Sequence, residues 1–169
     1  MEGSCVPVEI VNLQDRIEIT GELSAALDRA VTVGLAREGM DPTGVEVSIA
    51  LVDDERIHEL NKKFRRKDAP TDVLSFGMDD QDVPEEPAIL GDIVISLETA
   101  AREASETGGL TRHVVLLAIH GLLHLLGYDH ETCEDAEEME AHEKEILAEV
   151  APPAATGGAP ACHEGSDGR

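Results

Sequence analysis

Residues 114–130, VVLLAIHGLLHLLGYDH, decide how the rest of the chain is read. Val114 to Leu126 is apolar around its whole helical circumference apart from His120 and His124, which predicts a helix inside the fold. The i, i+4 spacing sets both imidazoles on one face, one turn apart. Burying each without compensation costs about 1–3 kcal/mol, which hydrogen bonds or a metal must offset. Gly127 stands where a helix stops in the left-handed conformation, and such a stop turns Tyr128, Asp129 and His130 back toward the same point.

His120, His124, Gly127 and His130 repeat the spacing HExxHxxGxxH with which one class of zinc peptidases grips its metal. Three histidines with an open fourth position form the catalytic zinc pattern, with a bound water that ionises near about pH 7. The competing reading makes His120 and His124 core residues bonded to backbone and His130 an unrelated loop residue. Cys133 is the candidate fourth ligand if the site is closed and structural. The glutamate that moves protons in the peptidases is replaced by Gly121, so peptide hydrolysis by that route is unsupported. A helical glycine costs about 1 kcal/mol relative to alanine. Gly121 therefore marks a close approach to the backbone, by a ligand or by a packed strand.

Working outward, VPVEIVN (6–12) and VEVSIALV (45–52) alternate as half-buried strands, with a helical run after Gly21 between them. Asp53 or Asp54 caps a helix through DERIHELNKKF. TDVLSF (71–76) and ILGDIVIS (89–96) are further strands, separated by the acidic loop MDDQDVPEEP, a lid or a solvated connector. LETAAREASETGG is a helix ended by Gly108 and Gly109, Thr111 caps the histidine helix, and EDAEEMEAHEKEILAEV closes the fold. The class is α+β: a single domain over residues 1–150, with a mixed four-stranded sheet and helices packed around a central buried helix that bears the metal ligands. Residues 151–169, rich in Pro, Gly and Ala, form a disordered tail.

The 169 residues suffice for one aliphatic core, there being no Trp, one Tyr and two Phe. A formal net charge of -23 argues against nonspecific adhesion to nucleic acid or anionic membrane. The opening MEGSCVPVEIVN has no signal-peptide pattern and no segment is long enough for a membrane helix, so the expectation is a cytoplasmic protein. Three cysteines at unrelated spacings make no disulfide framework. Against this acidity, Lys62, Lys63, Arg65, Arg66 and Lys67 gather five of the thirteen cations. They read either as a phosphate clamp or as a solvated helix end that complements the helix dipole.

HGLLHLLGYDH, FRRKDAPTDVLSF and LGDIVIS together resemble the YbeY family of bacterial endoribonucleases and ribosomal-RNA maturation factors over roughly residues 45 to 150. The resemblance implies a zinc-dependent, single-strand-specific endoribonuclease acting in ribosomal-RNA processing, including small-subunit 3′ end maturation, and in ribosome quality control. It implies one Zn2+ per chain held by His120, His124 and His130, with Arg65 and His120 as catalytic residues. Single-stranded RNA and ribosomal RNA would be the partners, together with ribosomal proteins or ribosome-associated factors, and no membrane. Gly77 stands where the family's segment usually has Pro. A phosphodiester releases an alkoxide rather than an amine, which lessens the need for the missing glutamate, and Asp129 remains a candidate base or histidine partner. With so few aromatics, little base stacking and weak sequence preference are expected. Two other readings stay in view: a noncatalytic, zinc-stabilised ribosome-assembly factor, and a zinc peptidase with another base.

Overall fold

A computed structural model of the chain describes residues 8–77, 88–128 and 131–151. The acidic loop 78–87, Asp129, His130 and the tail from 152 onward lie outside the described residues. The strands are β1 (Val8–Asn12), β2 (Val45–Val52), β3 (Val73–Gly77) and β4 (Ala88–Ser96). The helices are α1 (Gly21–Arg37), α2 (Asp54–Arg65), α3 (Leu97–Glu103), α4 (Leu110–Leu125) and α5 (Cys133–Val150).

One sheet runs in the order β1-β2-β4-β3. β1 and β4 lie parallel to β2, and β3 runs antiparallel along the outer side of β4. Alternation in β2 sends Val45, Val47, Ile49 and Leu51 into the larger core with α1, α4 and α5. Val52, Leu74 and Val94 meet Ile57 of α2 on the opposite face. The architecture is thus the mixed four-stranded α+β fold expected, with α4 at its centre: nine of its residues are buried, among them Val114, Ile119 and Leu122.

The caps follow local chemistry. Thr20 accepts from the Leu23 amide, Asp53 from Arg56, Ser96 from Thr99 and Thr132 from Asp135. Thr111 does not cap α4. The helix begins two residues earlier than that cap implies, at Leu110 after Gly109, whose φ of 128° no other residue type adopts readily. α3 is also shorter than expected, because the chain passes into a 3-10 turn at Ala104–Glu106.

Gly121 owes its presence to packing. A Cβ built there would stand 2.8 Å from Ile93 Cγ2 and 3.0 Å from Ser75 Oγ, so α4 rests almost directly on β4 and β3. Helix propensity favours Gly121→Ala by about 1 kcal/mol, whereas overpacking costs about 1–3 kcal/mol. Backbone-anchored strands cannot retreat easily, so packing should win. G121A is expected to lower the urea midpoint of unfolding; a raised midpoint would show that the sheet yields.

At the other end of the sheet Asp54 accepts from Ser96 Oγ at 2.7 Å and Thr99 Oγ1 at 2.6 Å, and pairs with Arg102 at 2.9 Å. Burial alone would raise its carboxyl, but the hydrogen bonds from Thr99, Ser96 and Arg102 outweigh it and hold the pKa below the usual value. A depressed folded pKa gives stability that is complete above the unfolded value of about 3.9 and is lost as pH falls through the folded one. Between about pH 6 and pH 3, Asp54→Asn should lose less stability than the unmodified chain in paired urea titrations. Equal losses would mean that Asp54 carries no acid-sensitive stabilisation.

Candidate active site

α4 delivers His120 and His124 one turn apart with their rings edge to face, centroids 4.7 Å apart. The two Nε2 atoms are 3.2 Å apart. What stands behind each ring gives that approach its meaning. The Glu143 carboxylate of α5 lies at Nδ1 of His120, and the Tyr128 carbonyl accepts from Nδ1 of His124 at 3.0 Å. A carboxylate and a carbonyl only accept, so each Nδ1 carries hydrogen and each Nε2 is left to face the other ring. Two lone pairs at that separation repel unless a proton or a metal cation lies between them.

The donor set fits a metal. Two imidazole nitrogens at about 2.0–2.1 Å from one tetrahedral zinc ion stand roughly 3.3 Å apart. A hydrogen-bond acceptor behind each ligating ring is the usual means of fixing tautomer and aim. His130, the third histidine of the motif, and Asp129 lie outside the described residues. Among the described residues no third His, Cys, Asp or Glu joins the pair in a ligand group. Cys133 opens α5 and is exposed.

Gly127 positions the second ring. Its φ is 107°, its amide donates to His124 O, and the Tyr128 amide donates to Leu123 O, both at 3.0 Å. This left-handed double closure ends α4 and brings the Tyr128 carbonyl back under His124. The burial expected for the two imidazoles is corrected: the His120 side chain is 31% exposed and His124 is half-buried, because α4 turns this face into a groove.

The groove, of about 1330 Å³, is lined by His120, His124 and Glu143 on the helical side and by Arg65, Lys67 and Ser75 on the other. Arg65, the last residue of α2, lays its guanidinium 5.1 Å from the centroid of the Phe76 ring and donates from Nη2 to Ser75 O at 2.8 Å. Ser75 Oγ in turn donates to Gly121 O at 3.2 Å. A chain of direct contacts therefore joins Arg65 to the residue next to His120.

The loop carrying the other cations is tied down. Arg66 ends α2 in the left-handed region at φ 62°, and the Lys67 amide donates to Asn61 O at 3.2 Å. Buried Asn61 donates to Ala69 O at 2.8 Å, and His58 Nε2 lies 2.6 Å from Asp68 Oδ1. The hydrogen bond from His58, with help from the charge of Lys62, holds the Asp68 carboxyl below its ordinary pKa. The segment is both a helix end and one wall of the groove, so the two readings of it are compatible.

Sequence reasoning missed the supporting residues. Glu143 occupies an inward position of the repeat set by buried Met139, Ile146, Leu147 and Val150, and a glutamate there was the available signal. His113 is buried two turns before His120 on the same wall, its Nδ1 2.6 Å from Thr107 Oγ1 and its Nε2 3.3 Å from Glu103. Beyond His124, the Tyr128 hydroxyl donates to Glu38 Oε1 at 2.7 Å, while His142 Nδ1 stands 2.9 Å from Glu38 Oε2. Burial, followed by the neighbouring Glu38, pushes the phenol pKa up to about 12, which keeps it a donor.

Comparison with known proteins places the chain in a family. The family model described as Endoribonuclease YbeY matches residues 9–151. Endoribonuclease YbeY of Moorella thermoacetica is 47% identical over 150 residues, covering 83% of this chain and 95% of that protein. Endoribonuclease YbeY of Geobacillus thermodenitrificans is 42% identical over 148 residues, covering 83% and 94%. The solution structure of TM1509 from Thermotoga maritima superposes with a TM-score of 0.55 at 31% identity, covering 85% of this chain and 88% of that one. The chain belongs to the YbeY endoribonuclease family.

Removing the Tyr128 hydroxyl leaves the Glu38 carboxylate without its best donor. Tyr128→Phe should cost about 1–3 kcal/mol in chemical unfolding. An unchanged midpoint would show that His142 or water replaces the phenol without loss.

Proposed function

We propose that this chain is a metal-dependent endoribonuclease that cuts single-stranded RNA, with ribosomal RNA, including the 3′ end of the small-subunit RNA, as its substrate. The observation that carries this reading is the paired Nε2 atoms of His120 and His124 facing one groove with Arg65. Membership in a family named for endoribonuclease activity supports the reaction class. Among the described residues no helix is long and apolar enough to cross a membrane.

His120 and His124 would hold the metal with His130 as third ligand, and zinc suits this nitrogen set. Bound there, it supplies Lewis acidity and a water that ionises near about pH 7. Glu143 and the Tyr128 carbonyl keep both rings aimed through the reaction. Arg65 lies across the groove, held by Ser75 O and the Phe76 face, and its remaining N–H groups can meet the extra negative charge that develops on a phosphate under attack. Lys67 lines the same wall and neutralises a neighbouring phosphate. Gly121 cannot serve as base, since it faces Ile93 and Ser75 and has no ionisable group. Ribosomal proteins or ribosome-associated factors would supply the selectivity that the groove lacks.

Cleavage of an end-labelled single-stranded RNA by the purified chain tests the proposal. Activity should vanish on chelation and in His124→Ala, and Arg65→Ala should lower kcat by about 10²–10³ with an unchanged unfolding midpoint. Full cutting by the chelated protein or by R65A would refute this assignment of the groove. Binding of RNA by the metal-loaded protein with no cutting would favour the assembly-factor reading instead.

A further inference from the structure

We infer that Phe64 is a stacking platform for one base of the bound strand, across Arg65 from the histidine pair. The inference rests on the endoribonuclease reading and adds a base-contacting residue to it. Only two phenylalanines exist in the chain, and the fold brings them together edge to face at 5.3 Å and 67°. Phe76 is half-buried against the smaller core beside Leu60. Phe64 is 51% exposed, more than any other large hydrophobic residue among those described.

The surroundings indicate what such a ring would contact. Lys63 Nζ lies 5.2 Å from the Phe64 centroid, and Lys62, Arg66 and Lys67 are exposed on the same helix end and loop. An aromatic face with cations around it matches the two parts of a nucleotide, a base to stack and phosphates to neutralise. Lys63, on its flexible stem, can yield the ring face to a base and move to that nucleotide's phosphate. Continuity with the active site is direct: Phe64 touches Phe76, Phe76 lies under Arg65, and Arg65 bonds the strand that bonds Gly121. Phe64 and Phe76 stand on the α2 side of the edge strand β3, so a strand that leaves the histidine groove past Arg65 meets Phe64 by turning over that edge.

A single ring also suits the chemistry of selection. Every base has a π face, so the contact reads no sequence. In a duplex those faces are covered by neighbouring pairs, so the contact favours unpaired RNA. The scarcity of aromatics rules out a row of stacked bases but leaves room for one.

The test is fluorescence anisotropy of the full chain with a labelled single-stranded RNA and with the same RNA annealed into a duplex. Phe64→Leu should weaken single-strand binding roughly 5- to 100-fold, Phe64→Tyr should restore it to within about 2-fold, and duplex binding should stay unchanged in both. Single-strand binding by F64L equal to that of the unmodified chain, or an equal loss toward duplex, overturns the inference. Photocrosslinking of 4-thiouridine RNA to the unmodified chain gives a reading independent of variant folding. A crosslink on Phe64 supports the platform, and crosslinks confined to α4 and α5 oppose it. If the chain binds single strands through Phe64 but cuts none, the endoribonuclease reading fails while the platform stands; if it binds no RNA, both fall.

Discussion

Helix α4 lies against β3 and β4 at a depth that only a residue without a side chain permits, and that contact at Gly121 governs the rest of the site. Seated there, α4 covers the inner sheet face with Val114, Ile119 and Leu122 and turns His120 and His124 sideways, toward the outer strand β3. The same closeness lets Ser75 reach the Gly121 carbonyl, while its own carbonyl takes Arg65. A histidine helix with a glutamate at this position would carry a carboxylate into Ile93. The residue that looked like a lost catalytic group is a packing requirement.

Around that contact the side chains of the groove are held in place by their neighbours. Glu143 aims one imidazole, a chain reversal at Gly127 aims the other, and Asn61 and His58 fix the loop beyond Arg65. The Glu38, Tyr128 and His142 group stands behind the reversal and ties it to α1. Site geometry is therefore coupled to the packing of α1, α4 and α5, which share one core. The strongly negative chain gathers five of its thirteen cations at the end of α2 and the loop after it, beside the groove, so charge is arranged by position even though its total opposes nucleic-acid binding.

Much of the architecture was legible because its signals are local. The alternation of VEVSIALV set β2 at Val45–Val52, and the unbroken apolar circumference of α4 placed it at the centre. The i, i+4 pair and Gly127 announced two converging nitrogens and the turn that follows. What stayed hidden depends on contacts between distant segments. The partial exposure of the histidines reflects the open side of α4, the Glu143 partner of His120 comes from α5, and the purpose of Gly121 resides in β3 and β4. Thr111 misled because two adjacent glycines with positive φ start α4 by backbone geometry alone. Composition counted two phenylalanines but could not show that they meet.

Acceptors behind both rings leave the Nε2 atoms of His120 and His124 aimed at one point. Long-range 1H–15N correlation spectra of the metal-free protein report directly which ring nitrogen of His120 and of His124 bears hydrogen. Nδ1 of both residues should bear hydrogen, and the Nε2 signals should move when Zn2+ is added. An Nδ1 without hydrogen at either histidine, with Nε2 signals unmoved by Zn2+, would overturn this geometry.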